Sequence, residues 1–442
     1  MTAPAREAPA SSARGGTRAV AIGPLLLGWA GVSWGIAHVN GYWSPWALLL
    51  LLLGAAAATA GALGRGVDAR LALGVVGGLL VATPVLHHQA QHPHAGGPAY
   101  GLSVLLAGVS AAGLGGLLLI AAVSRIPPRA ALPVVALLAL AADLAVVRAS
   151  PEPAIDVHTL LQHSADGLAR GDDLYRETWP DSTGLTGVYP YLPATTLLLA
   201  PARWLLGDVR LGLVGCLAGS AVLLARLAGQ APRVSGPLAR ALPVLPALVL
   251  AFPRATLLAQ DSWTEPLLLL LLIAAVSCTL AGRHAAAVLL VGLALASKQH
   301  VALLLPLAAW WPAFGWRRAL ASIGVALAVV APWLLAGPGD LWHDAVQAPA
   351  AFPVLPQALD LPAGLSRVGL GVGFWLTAVA LAAAYALCWR LPRDETGFAV
   401  GSAIVLLAVA LANKQSFFNH YTLVAGLLVL GVVLAARRGG AP

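Results

Sequence analysis

Two lysines are the residues of this sequence whose placement most suggests chemistry. Lys298 and Lys414 are the only lysines among 26 Lys and Arg residues, and each stands in a Lys-Gln dipeptide at the end of an apolar run. An ammonium group is a compact point charge, whereas the guanidinium group of Arg is a planar fork. A position that keeps Lys is therefore typical of a single fixed cation, such as a ligand for a lipid phosphate. The alternative is that both side chains extend to the lipid head groups as anchors.

Asp156 is the strongest candidate for a general base. It follows shortly after the fifth apolar run, at the start of a segment with helical periodicity, so we expect it at the membrane boundary. A carboxylate there can take the proton of a sugar hydroxyl, provided that it lies within hydrogen-bond reach. The alternative is that Asp156 caps the helix that begins there. Inside the fifth run, Asp143 is a candidate either for a buried partner of this site or for a structural hydrogen bond.

The polar stretch at residues 151–191 is the element that must position Asp156. From Ile155 to Leu168 apolar residues recur at helical spacing, which predicts an amphipathic helix lying along a membrane surface. Gly171 ends the predicted helix, and Tyr and Pro residues at 189–193 lead the chain back into apolar sequence. We therefore expect this stretch to be the main polar loop outside the membrane.

The composition is that of a membrane protein. The 442 residues are 59% hydrophobic and 10% charged, with a mean hydropathy of +0.83. Apolar runs of roughly 15 to 23 residues recur along the chain, which predicts an all-α, polytopic integral membrane protein. The net charge of +8 does not indicate nucleic acid, because the Arg residues stand at the ends of apolar runs, as the positive-inside rule requires. All three cysteines lie inside apolar runs, so neither a disulfide framework nor a cysteine metal site is expected.

The distribution of Arg predicts about 14 transmembrane helices with both termini in the cytoplasm and the 151–191 loop outside. This topology requires that one apolar segment between Tyr191 and Arg254 does not cross the membrane. We favour residues 192–206, and residues 243–253 are the alternative. The predicted domains are a disordered cytoplasmic tail, four additional N-terminal transmembrane helices, a transmembrane catalytic module and a second cytoplasmic tail, at residues 1–18, 19–130, 131–436 and 437–442.

Other polar constellations are weaker. Asp261 and Glu265 stand one helical turn apart, so they are candidates for a shared cavity that orients a sugar or a divalent ion, or for a structural pair with Arg254. Most of the 14 Trp residues are expected at the membrane interface, and one or two are candidates for stacking on a sugar or prenyl chain. One histidine cluster has a spacing that suits zinc or copper, with a solvated loop as the alternative: His87, His88, His92 and His94.

The polar loop also carries motifs in a recognisable order. Asp156 and the amphipathic segment are followed by Ala-Arg-Gly-Asp-Asp-Leu-Tyr at 169–175 and by Tyr-Pro-Tyr-Leu-Pro at 189–193. This order resembles the first catalytic loop of the GT-C superfamily, the polytopic glycosyltransferases that use polyprenyl-phosphate sugars. It is most similar to glycosyltransferase family 87, the polyprenol-phosphate-mannose-dependent α-mannosyltransferases of actinobacterial envelopes. The regions of Gln260 and Lys298 and an Asn-x-Tyr at 419–421 echo the same family.

The resemblance implies a role for each candidate residue. Asp156 would be the base that activates an acceptor hydroxyl, in an inverting displacement that releases polyprenyl phosphate. The donor phosphate would be bound by cationic side chains, namely Lys298, Lys414, Arg254 and His420. The substrates would contact a further set of polar and aromatic residues, namely Asp172, Tyr175, Tyr189, Tyr191, Gln260, Asp261, Gln299 and Tyr421.

The predicted function is therefore transfer of a sugar, with mannose as the first choice, from a polyprenyl-phosphate donor to a lipid-linked or envelope glycan acceptor. The active site would lie on the extracytoplasmic face of a bacterial inner membrane. Its partners would be the donor, the acceptor and membrane lipids, without nucleic acid; no cofactor is firmly implied, and a divalent cation is allowed. The alternative is a multi-pass transporter or a flippase for lipid or polyprenyl phosphate, for which polar groups are expected near the membrane midplane.

Overall fold

The computed structural model describes residues 19–37, 42–86, 95–124, 131–177, 187–231 and 234–439. Throughout these ranges the regular structure is helical and no strand is formed, which confirms the all-α prediction. The predicted tail at 1–18 and the histidine cluster at 87–94 lie outside the described residues.

Twenty α-helices make up the described chain. The N-terminal third contains α1 (Ile22–Ala37), α2 (Pro45–Ala62), α3 (Ala69–Leu86), α4 (Gly97–Val123) and α5 (Leu132–Ala149). The middle contains α6 (Asp156–Arg170), α7 (Ala194–Leu206), α8 (Val209–Gly229), α9 (Gly236–Ala241), a 3-10 helix (Leu245–Val249), α10 (Thr256–Gln260), α11 (Glu265–Leu280) and α12 (His284–Leu295). The C-terminal part contains a 3-10 helix (Gln299–Leu304), α13 (Leu305–Trp310), α14 (Gly315–Ala336), α15 (Pro338–Trp342), a π-helical turn (His343–Gln347), α16 (Ala348–Ala351), α17 (Leu361–Ser366), α18 (Trp375–Cys388), α19 (Glu395–Ala412) and α20 (Phe418–Arg437).

Seven of the described helices are long and apolar enough to cross a membrane, namely α2, α4, α5, α8, α14, α19 and α20. Shorter apolar helices of 10–17 residues accompany them, among them α1, α7, α11, α12 and α18. These features support a polytopic membrane protein. The count of about 14 crossings stays a prediction.

The helices α19 and α20 form the centre of the structure. Inside the protein, 94% of the apolar window of α20 and 89% of that of α19 are buried, against 11% for α14, so α14 is a peripheral helix. The central helix α20 packs against α19, α11, α8 and α1. Because α1 reaches α20 in this way, the additional N-terminal helices are joined directly to the rest of the bundle.

The helix α6 matches the predicted amphipathic segment closely. It runs from Asp156 to Arg170, and Gly171 ends it in the left-handed conformation with φ of 82°. Its apolar face, including Leu160, Leu161 and Ala165, is buried and packs against α7. The amphipathic pattern therefore reflects packing on protein, whereas a position along the membrane surface stays a prediction.

The two segments considered as non-crossing are both short. The helix α7 has 13 residues and contains Pro201, so it is about 20 Å long and falls short of a bilayer core of about 30 Å. The alternative segment holds only the five-residue 3-10 helix Leu245–Val249, and all five of its residues are buried. Both elements are therefore shorter than a regular membrane-spanning helix. Which of the two does not cross the membrane stays a prediction.

Close packing of α3 on α4 gives a testable consequence. A Cβ added at Gly115 would lie 2.5 Å from the carbonyl oxygen of Gly77, whereas one added at the neighbouring Gly116 meets nothing within 4 Å. We expect Gly115→Ala to destabilise the protein by about 1–3 kcal/mol, because the backbones of α3 and α4 must move apart to make room for the added methyl group. Gly116→Ala should leave stability unchanged or raise it slightly, because Ala favours helix over Gly. Thermal unfolding of both variants in one detergent measures this, and equal midpoints would contradict the helix contact.

Candidate active site

A cavity of about 740 Å³ lies where α6, the α10–α11 turn, the segment after α12, residues 345–357 and the α19–α20 connection meet. Seven of the thirteen residues proposed from the sequence line its wall. They are Asp156, Tyr191, Asp261, Lys298, Gln299, Lys414 and His420. Residues far apart in the chain are thus brought to the wall of one cavity, and this wall is the candidate active site.

Asp156 is the first residue of α6, after Ile155 in the cap position. Its Oδ1 accepts a hydrogen bond of 2.8 Å from the backbone N–H of Val157. Negative charge in the first turn of a helix interacts favourably with the helix dipole. Asp156 therefore lies in the first turn and presents its carboxylate in the cavity wall, whereas the cap position belongs to Ile155, so the capping alternative is wrong.

Lys298 belongs to a buried ion pair. Its Nζ donates to Glu265 Oε1 at 2.6 Å, and Asn419 Nδ2 donates to the same oxygen at 2.9 Å. The ammonium also lies 5.7 Å from the centroid of the Tyr191 ring. Glu265 thus pairs with Lys298, and Arg254 forms no ion pair among the described residues. Because a carboxylate balances it, Lys298 adds little net charge to the cavity.

Lys414 has a different environment, although it stands in the same dipeptide. Its Nζ donates to the carbonyl oxygens of Ala350, at 2.6 Å, and of Phe352. Within the described ranges it forms no ion pair, so its positive charge is not balanced by a carboxylate in contact. Lys414 is therefore the cavity cation best able to attract an anionic ligand.

Two histidines, His300 and His420, line the cavity near Lys298. The rings of His300 and His420 meet edge to face, with their centroids 6.2 Å apart. His420 Nδ1 also accepts a long hydrogen bond of 3.4 Å from the backbone N–H of Phe417. His420 was predicted from the sequence and His300 was not, although His300 follows Lys298 by only two residues.

The α10–α11 turn supplies an acid and an aromatic ring. Asp261 lies in the cavity wall, and burial raises the pKa of its carboxyl to about 7. Trp263 lines the cavity next to it and was not selected from the sequence. Four polar amides also line the cavity and were not among the residues predicted from the sequence, namely Gln357, Asn413, Gln415 and Asn419. Sequence alone distinguishes such amides poorly from residues at the ends of helices.

Three residues predicted to contact the substrate, Tyr175, Tyr189 and Tyr421, do not line the cavity. Tyr175 donates its hydroxyl to the carbonyl oxygen of Tyr191 at 2.9 Å, and Tyr189 packs edge to face on both tyrosines. These contacts fix the ring of Tyr191, which does line the cavity. Tyr421 is buried further away, where its hydroxyl donates to the carbonyl oxygens of Leu359 and Ala410.

Three further predicted residues also lie outside the wall. Asp172 forms an exposed ion pair with Arg170. Gln260 is fully buried, and its side-chain amide has no hydrogen-bond partner among the described residues. Arg254 has a left-handed backbone with φ of 63°, and its Nε and Nη1 atoms find no partner in the described structure. The role in phosphate binding proposed for Arg254 therefore gains no support from its position.

The sequence allows a divalent cation at the site and does not firmly imply one. The described residues contain no group of three or more His, Cys, Asp or Glu side chains that could hold a metal ion. Asp143, the buried acid of α5, has no hydrogen-bond partner for either oxygen within the described chain and does not line the cavity.

Comparisons of the chain with protein-family models, with curated proteins and with solved structures give no match. The resemblance to the GT-C superfamily therefore rests on short motifs alone. The residues that meet in the cavity are the stronger guide to function.

Proposed function

We propose that this protein is a membrane glycosyltransferase that moves a sugar, with mannose as the first choice, from a polyprenyl-phosphate donor to a lipid-linked or envelope glycan acceptor. One observation carries the proposal: a carboxylate, Asp156, and an unbalanced ammonium, Lys414, line the same cavity. The cavity volume of about 740 Å³ lies within the roughly 300–1,000 Å³ of small-molecule sites.

The proposed reaction uses the carboxylate of Asp156 as a base and the ammonium of Lys414 as a phosphate ligand. Asp156 accepts the proton of the acceptor hydroxyl as that oxygen attacks the anomeric carbon of the donor. The bond between the anomeric carbon and the phosphate oxygen breaks, and the electron pair leaves with polyprenyl phosphate. Negative charge grows on the phosphate, and Lys414, with His420 beside the Lys298 pair, stabilises it. Attack opposite to the leaving phosphate inverts the anomeric configuration.

The site is proposed to face outward in a bacterial inner membrane, with both termini in the cytoplasm. The Arg residues at the ends of the apolar runs, which the positive-inside rule assigns to the cytoplasm, support this orientation. Residues 131–436 contain every residue that lines the cavity except Tyr42. The N-terminal helices are proposed to support the catalytic module and to extend the cavity at Tyr42.

Lys414→Ala is expected to raise the KM for the donor by about 10- to 100-fold, because a charge-assisted hydrogen bond to the phosphate is lost. The KM for the acceptor should change little. Initial rates measured with each substrate varied in turn test this difference, and Lys414→Arg, which keeps the charge, should recover part of the loss. An equal change in both KM values would contradict a phosphate-binding role.

Activity itself is tested with the purified full chain in liposomes, supplied with polyprenyl-phosphate mannose and lipid extract from a strain that lacks the protein. Formation of a new glycosidic bond with release of polyprenyl phosphate is the expected result. Analysis of lipids and glycans from the deletion strain should show the sugar that is missing. Movement of the intact donor across the bilayer without a new bond would overturn the proposal in favour of a flippase.

A further inference from the structure

The turn between α10 and α11 places an acid and an indole side by side in the cavity wall. Asp261 and Trp263 both line the cavity, and the indole Nε1–H donates to Asp261 Oδ2 over a long distance of 3.4 Å. Neither side chain is needed for proton transfer by Asp156 or for charge stabilisation by Lys414. The pair is therefore free to recognise another part of the substrate.

The backbone of this turn is held in an uncommon conformation. Ser262, between the two residues, has a left-handed backbone with φ of 60°, which non-glycine residues adopt only when their surroundings require it. The Ser262 hydroxyl lies 2.9 Å from Nδ1 of His158, two residues after Asp156 on α6. Burial lowers the pKa of His158 to about 4, so a neutral imidazole makes this contact. The helix that carries the proposed base thus also fixes the turn.

The Asp261 carboxyl has spare capacity to accept hydrogen bonds. Asp261 is 9% exposed, so bulk water does not satisfy it. Its Oδ2 accepts only the long bond from Trp263, and its Oδ1 is a buried atom without a hydrogen-bond partner among the described residues. Buried carboxylates are normally hydrogen-bonded, so this group needs donors that the protein does not supply. Hydroxyl groups of a ligand are suitable donors.

The indole is fixed in position as well. Trp263 packs edge to face on Phe418 of α20, with the ring centroids 5.8 Å apart and the planes at 88°. An aromatic ring provides a rigid apolar surface at low entropic cost. A pyranose ring has apolar C–H groups on one face and hydroxyl groups around its edge. It therefore matches a fixed indole beside a carboxylate that lacks donors.

We propose that Asp261 and Trp263 form a subsite for a neutral pyranose ring, with the indole against the C–H face and the carboxylate accepting ring hydroxyls. The choice of a sugar as ligand rests on the proposed function. The ring belongs either to the transferred sugar of the donor or to the terminal sugar of the acceptor. In both cases the subsite determines which sugar is accepted, because a site built to bind hydroxyls rejects rings that lack them.

Binding of two probes to the full chain in lipid nanodiscs tests the subsite. Decyl α-mannopyranoside supplies a pyranose head group, and decyl tetraethylene glycol supplies the same alkyl chain without a sugar. Asp261→Asn and Trp263→Leu should each weaken binding of the mannoside by about ten-fold and leave binding of the glycol unchanged. The glycol thereby reports that each variant keeps a folded cavity. Matched controls outside the cavity wall are Asp340→Asn, at a half-buried acid, and Trp389→Leu, at an exposed indole.

Equal loss of both probes, or no loss of the mannoside, would overturn the subsite. Sugar transfer by the same variants identifies the source of the ring, since a raised donor KM points to the transferred sugar and a raised acceptor KM to the acceptor. Asp156→Asn separates the two proposals, because it should lose transfer and still bind the mannoside. If the unaltered protein transfers no sugar while Asp261→Asn loses the mannoside, the proposed function fails and the subsite stands.

Discussion

Replacing Asp156 with Asn is expected to lower the rate of sugar transfer by about 10²- to 10⁴-fold, the usual contribution of a general base. The amide oxygen of Asn can still accept the hydrogen bond from Val157 N–H that starts α6. The fold and the cavity should therefore persist, and the substitution removes mainly the ability to accept a proton. Transfer of radiolabelled sugar by the purified variant in liposomes measures the effect.

The matched control is Glu152→Gln, which neutralises an exposed acid four residues earlier that does not line the cavity. It should transfer sugar at the rate of the unaltered protein. Similar losses in both variants would indicate that general negative charge in this loop matters, rather than a base at position 156. Normal turnover by Asp156→Asn would remove Asp156 from the mechanism.

Replacing Lys298 with Ala is expected to destabilise the protein by about 3–5 kcal/mol, the typical effect of removing one partner from a buried ion pair. The reason is Glu265, whose side chain is 1% exposed and would lose the ammonium that compensates its charge at 2.6 Å. Lys414→Ala is the matched control, because that lysine contacts carbonyl oxygens and no carboxylate within the described structure. Thermal unfolding midpoints of the two variants should differ clearly.

A double variant tests the cause of this loss. Lys298→Met with Glu265→Gln removes both charges and retains an oxygen at position 265 for the Asn419 amide. It should recover most of the stability, since a buried ion pair can be replaced by neutral groups at little cost. Destabilisation of the double variant equal to that of Lys298→Ala would show that packing, and not an unpaired carboxylate, explains the effect.

The sequence was informative wherever structure depends on neighbours in the chain. Helical spacing predicted α6 from Ile155 to Leu168, against an observed range of Asp156–Arg170, and Gly171 marked its end because glycine adopts the left-handed conformation readily. Apolar runs likewise predicted an all-α membrane protein. In both cases the physical cause, burial of one face or of a whole helix, is visible in local periodicity.

Local periodicity did not predict the contacts between segments that are far apart in the chain. The two Lys-Gln dipeptides are identical locally, yet one ammonium faces a carboxylate from α11 and the other faces backbone carbonyls. Tyr189 was chosen from a motif, and tertiary packing placed it behind Tyr191. Trp263 resembled the interfacial tryptophans in sequence, yet it lies in the cavity wall against Phe418 of α20. Which residues a side chain contacts depends on how the helices pack together. The composition and the spacing of residues in one segment do not reveal that packing.

The central position of α20 has a consequence for biogenesis. The other described helices precede it in the chain, so the ribosome delivers them to the membrane before the helix that they surround. Until α20 inserts, the inner faces of α1, α8, α11 and α19 lack their partner and must be covered by lipid or by an insertion factor. Completion of the bundle is therefore a late event, and any delay in membrane insertion of α20 would prolong a state open to membrane proteases.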